Sequence, residues 1–284
     1  MSPLQIRQRL AVGRWPGDEP MNWRFASATV IGTSHLKTGA PCQDHHTCRV
    51  FRNGEDEPII AIAVSDGAGS ASRGGEGATI TCASLIEQVE FILAQERSLA
   101  SMTEDDARQW LKAVRNAIAD RANEAERDMR DYACTMLFAL VGVEVAVFLQ
   151  IGDGVIVVND QSPQWSWVFW PDRGEFANTT FFVTDAAAAD HLRFEHRRGF
   201  IQDIALLSDG IEPLVLHYAS RTVHAPFFER TFEPVRRSQA VGQDLALSQD
   251  LEAYLCSPAI LQRTDDDKTL VLATRRPQEV VDSQ

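Results

Sequence analysis

The sequence predicts a mixed α/β domain whose sheets are antiparallel. Short apolar runs typical of strands stand near both ends of the chain, and two long helical patterns lie between them. The chain has no internal repeat and no low-complexity linker. This order favours one domain in which helices pack against antiparallel sheets. The length of 284 residues is compatible with one large domain.

The first half of the chain contains three predicted strands and two predicted helices. Residues 1–24 mix Pro, Gly, Arg and Trp without a period, and we expect an N-terminal arm there. Strands are predicted at 25–35, 47–51 and 59–64, with an Asn-Gly turn at 52–57. Apolar residues three and four apart predict helices at 75–95 and 103–131. Thr103 is a good N-cap for the second helix.

The second half is rich in predicted strands. Three apolar runs at 134–158 indicate an antiparallel meander. Residues 211–256 are mixed and helical in part, and a polar tail follows the last strand. Further strands are predicted at 165–170, 179–184, 201–207 and 268–274.

Composition excludes several classes of protein. The 27 Lys and Arg residues against 40 Asp and Glu residues give a formal net charge of −13. Such an acidic chain is a poor general binder of nucleic acid or of an anionic membrane. The five cysteines are an odd number in a long chain, which argues against a disulfide framework. With no apolar run of about 18 residues and no signal-peptide pattern at the start, we expect a cytoplasmic protein.

Aspartates at the ends of predicted strands are the candidate functional residues. Asp66, Asp153 and Asp209 each follow an apolar run and precede glycine. Asp44 follows a turn, and Asp266 stands with Asp267 just before the last strand. Taken singly, an Asp-Gly pair is most often only a turn. Because a buried carboxylate without a partner is costly, aspartates that converge would bind cations.

Three other groups of residues have both a structural and a functional interpretation. Cys42, His45, His46 and Cys48 resemble half of a zinc site, but no second pair of ligands is visible and ordinary packing is favoured. The aromatic residues at 165–170 could stack on bases or sugars, although sheet packing fits the acidic charge better. The arginine-rich groups at 193–198 and 236–237 could bind a phosphopeptide or regulator, with solvated turns as the default.

The ordered set of motifs resembles the metal-dependent protein Ser/Thr phosphatases of type 2C, in particular their bacterial branch. The resemblance covers residues 25–275, leaving a polar tail at 276–284. It implies an α+β fold, a four-layer αββα sandwich of two antiparallel β-sheets flanked by helices. The matching pieces are GTSH…GAPCQD at 32–44, VSDGAGS at 64–70, Cys-Thr at 134–135, IGDG at 151–154, LSDGIE at 207–212 and DDKTLVL at 266–272.

The resemblance also implies an activity and a site. The activity is hydrolysis of phosphoserine and phosphothreonine in proteins by a metal-bridging hydroxide, with two divalent cations, Mn²⁺ or Mg²⁺. Phosphoproteins, in a Ser/Thr kinase pathway, would be the partners. Asp66 would bridge the ions and the Gly67 carbonyl would bind one of them. The other ligands would be Asp209 and Asp266, with Asp44 beside the metals and Asp153 at a weaker third ion; Asp44, Asp66 and Asp209 would be catalytic.

The sequence departs from the family pattern at three places. Gln43 stands where many members have glutamate, and Ala68 stands where eukaryotic members often carry histidine. The arginine that holds the substrate phosphate is missing, so we predict Lys37 or Arg73 in its place. These departures leave open a phosphatase-like regulatory or binding module with weak or no catalysis. A phosphohydrolase acting on a small molecule is a third possibility.

Overall fold

The computed structural model describes residues 21–277 except 161, 163 and 172–179. Most of the predicted N-terminal arm and of the polar tail therefore lies outside the described residues. The first strand begins at Met21 rather than Phe25, and the last strand extends to Pro277 rather than ending at Thr274.

Thirteen strands and seven α-helices are present in the described part of the chain. The strands are β1 Met21–Val30, β2 Asp44–Arg52, β3 Pro58–Asp66, β4 Met136–Val141, β5 Val145–Ile151, β6 Val155–Asn159, β7 Ser166–Trp167, β8 Arg193–Arg198, β9 Asp203–Leu207, β10 Leu216–His217, β11 Thr222–Val223, β12 Gly242–Gln243 and β13 Lys268–Pro277. The helices are α1 Thr33–Thr38, α2 Gly74–Ala94, α3 Glu104–Glu124, α4 Glu212–Val215, α5 Ala225–Arg237, α6 Leu245–Leu255 and α7 Pro258–Leu261.

Two antiparallel sheets carry the fold. The first has the order β2-β3-β4-β5-β8, and each neighbouring pair is antiparallel. The second has the order β12-β1-β13-β9-β6-β7. Its neighbours are antiparallel except that the short strand β12 runs parallel to β1.

Alternation along the strands sorts the apolar side chains into three cores. Ile60, Ile62 and Val64 of β3 lie in the core between the two sheets. Their neighbours Ala61 and Ala63 face the opposite way, toward α2 and α3. A third core joins the second sheet to α5 and α6. The layers therefore run helix, sheet, sheet, helix, which confirms the four-layer αββα sandwich.

Helix α2 is the described helix that is long and apolar enough to cross a membrane by length and composition. In the structure, half of its most apolar window is buried. Cys82, Leu85 and Val89 of this helix are fully enclosed in the core formed with the first sheet and α3. The apolar composition of α2 is thus explained by its packing against the sheet.

Several predicted elements need correction. The meander prediction was wrong for β6, which leaves the first sheet and pairs with β9 and β7 of the second. Helix α3 ends at Glu124, and Met129–Tyr132 forms a separate 3₁₀ turn. Residues 33–38 form α1 instead of extending the first strand. The described residues 180–184 form no strand, and residue 179 lies outside the described part.

Both arginine-rich groups belong to regular elements rather than to turns. Arg193–Arg198 is the edge strand β8, whose charged side chains suit an exposed sheet edge. Arg236 lies on α5 and forms an ion pair with Asp203, a carboxylate with no exposed surface. The aromatic residues at 165–170 contribute to packing as expected, with Trp165 against Phe228, although only Ser166–Trp167 is a strand.

Candidate metal centre

The first pair of candidate residues is brought together by strand register. Asp44 opens β2 and Asp66 closes β3, and the two are direct partners across this antiparallel pair. Directly opposed residues of a sheet project from the same face, so their carboxyl groups are neighbours. The carboxyl group of Asp66 lies within hydrogen-bonding reach of those of both Asp44 and Asp209. Residues far apart in the sequence therefore meet at one end of the sandwich.

The remaining candidates arrive from the second sheet and from the crossing between the sheets. Asp209 opens a 3₁₀ turn that follows β9. Its carboxyl group is close enough to Asp44, Asp153 and Asp266 for their charges to raise its pKa. We call these five residues, Asp44, Asp66, Asp153, Asp209 and Asp266, the aspartate cluster.

The aspartate cluster holds more negative charge than its surroundings balance. Burial, opposed by a hydrogen bond from Ser208, raises the pKa of Asp44 to about 6. Burial and the nearby charge of Asp153 raise the pKa of Asp209 to about 7. Burial and the charges of Asp44 and Asp209 raise the pKa of Asp66 well above its ordinary value. Each shift has the sign expected when carboxylates are crowded together away from water.

Two carboxylate oxygens of the aspartate cluster have no protein partner. Oδ1 of Asp44 and Oδ1 of Asp209 are buried and accept no hydrogen bond. Buried acceptors of this kind are rare in folded proteins. An all-oxygen donor set with unsatisfied carboxylates fits Mg²⁺ or Mn²⁺, which prefer oxygen ligands. Among the described residues, no three His, Cys, Asp or Glu side chains are arranged to hold a metal ion by themselves, so water or substrate oxygens would have to complete the coordination.

Hydroxyl groups hold two of the aspartates in position. Ser208 donates to Oδ2 of Asp44 at 2.6 Å and accepts from the backbone N–H of Thr269 at 2.9 Å. Thr135 accepts from the N–H of Asp66 at 2.9 Å, and its own N–H donates to the carbonyl of Asp66 at 2.8 Å. Ser208 and Thr135 were not assigned roles from the sequence. The sequence feature that could have identified them is their position: Ser208 directly precedes Asp209, and Thr135 directly precedes β4.

Asp266 and Asp267 are adjacent in the sequence but differ in their surroundings. Asp266 is exposed at the rim of the site, whereas Asp267 is 2% exposed. Oδ1 of Asp267 accepts from the N–H of Gly32 at 2.6 Å, and Oδ2 accepts from the N–H of Gln43 at 2.6 Å. Nδ1 of His35 lies 2.9 Å from Oδ2 of Asp267. Asp267 therefore ties the start of α1 and the segment before Asp44 to β13, and His35 is a partner of this carboxylate.

Glycines allow the segments of the site to approach closely. A Cβ atom at Gly67 would lie 2.3 Å from the carbonyl carbon of Gly74, and one at Gly210 would lie 1.9 Å from the carbonyl oxygen of Asp267. Both glycines directly follow an aspartate of the cluster. Their lack of a side chain allows the start of α2 to approach the end of β3 and allows Asp267 to approach the turn that carries Asp209.

Asp153 lies in the loop between β5 and β6, where the chain passes from the first sheet to the second. The hydroxyl of Thr180 donates to its Oδ2. Gly152 before it has a φ of 103°, and a Cβ there would lie 2.6 Å from the side chain of Thr135. The crossing loop is thus packed against the start of β4 and directs Asp153 toward Asp209.

The two predicted phosphate-binding residues lie outside the contacts described within the aspartate cluster. Arg73, just before α2, has its Nη1 atom 2.7 Å from Glu76 and its guanidinium over the ring of Tyr132. Lys37 is exposed on α1. Gln43 is mostly buried, and its Oε1 atom has no hydrogen-bond partner. Phosphate binding by Lys37 or Arg73 stays a prediction.

The cysteine and histidine group at 42–48 is explained by packing. His46 lies 2.8 Å from the hydroxyl of Thr29 through its Nδ1 atom, and Cys48 packs against the core between the sheets. Burial raises the pKa of Cys42 to about 12, which disfavours the thiolate that zinc requires. No cluster of zinc ligands forms in the part of the chain that the structure describes.

The sequence model of the family described as Protein phosphatase 2C matches residues 31–256, which is most of the chain. The chain belongs to the protein phosphatase 2C family. It is therefore a metal-dependent protein phosphatase, a hydrolase that uses two divalent cations, Mn²⁺ or Mg²⁺. This result confirms the resemblance and the activity class predicted from the sequence.

Known proteins similar to this protein phosphatase 2C member span nearly all of it. The Escherichia coli (strain K12) protein named serine/threonine-protein phosphatase 3 is 34% identical over 255 residues, which are 89% of this chain and 98% of that protein. The crystal structure of the catalytic domain of the serine threonine protein phosphatase PstP, in complex with two manganese ions, aligns with a TM-score of 0.56 at 15% identity, over 90% of this chain and 99% of that one. The serine/threonine phosphatase Stp1 from Staphylococcus aureus aligns with a TM-score of 0.54 at 16% identity, over 92% and 98%. At such identities the structural matches support the fold alone.

Proposed function

We propose that this chain hydrolyses phosphoserine and phosphothreonine in proteins and that the aspartate cluster binds the two cations it needs. The observation that carries the proposal is the meeting of Asp44, Asp66 and Asp209, with a buried, unpartnered oxygen on Asp44 and on Asp209. Bound cations would remove the electrostatic cost of this arrangement. The relative named serine/threonine-protein phosphatase 3 supports the same substrate class.

The proposed ligands divide between the two sheets. Asp66 would contact both ions, and the carbonyl of Gly67 would contact one of them. Asp209 and Asp266 would hold the other, while Asp44 stands beside the pair and Asp153 serves a weaker third ion. The central position of Asp66, within reach of both Asp44 and Asp209, supports the bridging role.

The bound cations would neutralise the phosphoryl oxygens of the substrate. They would also lower the pKa of a water molecule bound to them toward neutrality, so that hydroxide is available near neutral pH. The chain's own residues hold the aspartates in position. Ser208 fixes one oxygen of Asp44 and leaves Oδ1 available, and Thr135 fixes the backbone of Asp66. A covalent enzyme intermediate is not required. Burial raises the pKa of Cys42 to about 12 and that of Cys134 to about 11, so neither thiol is a ready nucleophile.

Lys37 and Arg73 are the proposed substitutes for the missing phosphate-binding arginine. Arg73 lies beside the loop that follows Asp66, which supports its candidacy, although its guanidinium is paired with Glu76. We further propose a cytoplasmic protein that reverses the action of a Ser/Thr kinase, with neither nucleic acid nor membrane as a partner. The formal net charge of −13 supports the last point.

The test is hydrolysis of p-nitrophenyl phosphate and of a phosphothreonine peptide with Mn²⁺. We expect Asp66→Asn and Asp209→Asn each to abolish turnover. Asp120→Asn, an exposed carboxylate on α3, is the matched control and should retain full activity. Activity that survives in both cluster variants would reject the assignment.

A regulatory or binding module is the second candidate, and Gln43 favours it. Its neutral amide stands where many family members have a carboxylate, which would weaken one metal site. Calorimetric titration with Mn²⁺ separates the candidates, because two-site binding with turnover supports the enzyme and no metal uptake supports the module. Comparing a phosphopeptide with nucleotides tests for a small-molecule phosphohydrolase.

A further inference from the structure

A cavity of about 720 Å³ lies on the outer face of the second sheet, within the α5–α6–α7 layer. Its volume falls in the range of small-molecule sites in proteins, roughly 300–1,000 Å³. None of the aspartate cluster lines it. The cavity is therefore separate from the candidate metal centre.

The inner part of the cavity is apolar. Ala26 of β1 and Leu272 of β13 lie at its base, but both side chains are only about 1% exposed and are already covered by their neighbours. Phe227 of α5 and Leu247 of α6 also line the cavity and are partly exposed, so they supply apolar surface that a ligand can cover. Such a surface favours an apolar ligand body, because removing apolar area from water is favourable.

The mouth of the cavity is cationic. Arg230 of α5 and Arg263, which follows α7, both line it. Burial raises the pKa of Tyr254, and the charges of Arg263 and Arg230 both oppose that rise. The two guanidinium groups therefore lie near the same phenol at the edge of the cavity. Neither arginine has a side-chain hydrogen bond or ion pair among the described residues. Asp250 is the acidic residue in the described lining, so two positive charges face one negative charge.

We propose that this cavity is a binding site for a small amphipathic carboxylate. The apolar body would lie against Phe227 and Leu247, and the carboxylate would be bound by Arg230 and Arg263. Guanidinium groups suit this task, because their planar donors match the two oxygens of a carboxylate. A cationic mouth without ion-pair partners on a chain of net charge −13 selects an anionic ligand over a neutral or cationic one.

The experiment is isothermal titration calorimetry on the full chain with Mg²⁺, using octanoate as the probe. We expect one saturable site per chain, and octanol and octylamine should bind at least about tenfold more weakly because they lack the charge that the arginines bind. The double variant Arg230→Ala with Arg263→Ala should weaken octanoate binding about tenfold or more. The matched control, Arg127→Ala with Arg198→Ala, removes the same charge from exposed sites outside the cavity and should leave the affinity unchanged.

A second variant tests the apolar part independently. Ala259 lines the cavity and is exposed on α7, so Ala259→Trp should fill the mouth without disturbing the core. Loss of octanoate binding in this variant, with an unchanged circular dichroism spectrum, supports the proposal. Absence of saturable octanoate binding to the unmodified chain overturns it. Equal binding by the unmodified chain, the arginine variant and Ala259→Trp overturns it as well.

Discussion

Replacing Gly210 by alanine should separate the two segments that carry Asp209 and Asp266. The added Cβ atom would lie 1.9 Å from the carbonyl oxygen of Asp267, whereas real Cβ atoms essentially never approach within 3.0 Å. The obstacle is backbone that is itself fixed, because Asp267 accepts from the N–H groups of Gly32 and Gln43. The segments must therefore move apart by about 1 Å. A misplacement of that size in a catalytic site costs about 100-fold in rate.

The assay is kcat/KM for p-nitrophenyl phosphate at saturating Mn²⁺, together with the Mn²⁺ concentration for half-maximal rate. Gly210→Ala should lower kcat/KM about 100-fold and raise the Mn²⁺ requirement. Gly69→Ala is the matched control, since a Cβ there has nothing within 4 Å although it stands three residues after Asp66. It should stay within about twofold of the unmodified chain, because no atom has to move to admit it. A folded Gly210→Ala protein with unreduced activity would refute the claim that this spacing sets the metal centre.

Three further predictions concern charge. The raised pKa values of Asp44 and Asp209 mean that the metal-free folded state binds more protons than the unfolded state between about pH 4 and pH 7. Its free energy of unfolding, measured with urea, should therefore fall as the pH rises through that window. Saturating Mn²⁺ or Asp209→Asn should flatten this dependence on pH. A pH dependence that neither change alters would contradict the clustering of the aspartates. Arg236→Met should lower the free energy of unfolding by about 3 kcal/mol because it leaves the buried Asp203 unpaired, and the addition of Asp203→Asn should recover part of the loss. Gln43→Glu should lower the Mn²⁺ requirement about tenfold by adding a carboxylate at the unpartnered Oε1 position, and an unchanged requirement would show that residue 43 does not face a metal.

Much of the fold was predictable from local patterns. The apolar periodicity of α2 and the N-cap residue Thr103 of α3 predicted the N-terminal ends of those helices to within a few residues. The structure adds a capping box between Thr103 and Asp106. Periodicity did not show that β6 leaves its neighbours, because an apolar run looks the same in either sheet. Strand β8 was missed because an exposed edge favours charged side chains, which hide the alternation.

The candidate site was predictable in part from the hairpin that carries it. The Asn53-Gly54 signal predicts a hairpin of β2 and β3, which brings Asp44 and Asp66 to its open end. The exact register was hidden, because a two-residue Asn-Gly turn would place Asp44 opposite Ala63. The connection is instead residues 53–57, so that Arg52 pairs with Pro58 and Asp44 with Asp66. The approach of Asp209 depends on how the second sheet packs on the first, which no local pattern encodes. The separate tasks of Asp266 and Asp267 were equally hidden, because their different burial is set by Gly32 and Gln43 from a distant part of the chain.

The most direct measurement is the anomalous scattering of manganese in crystals of the chain soaked with Mn²⁺. We expect two strong peaks at the end of the sandwich, with Asp66 in contact with both ions and Asp209 in contact with one. Peaks elsewhere on the surface, or no ordered ion near Asp66 at saturating Mn²⁺, would contradict it.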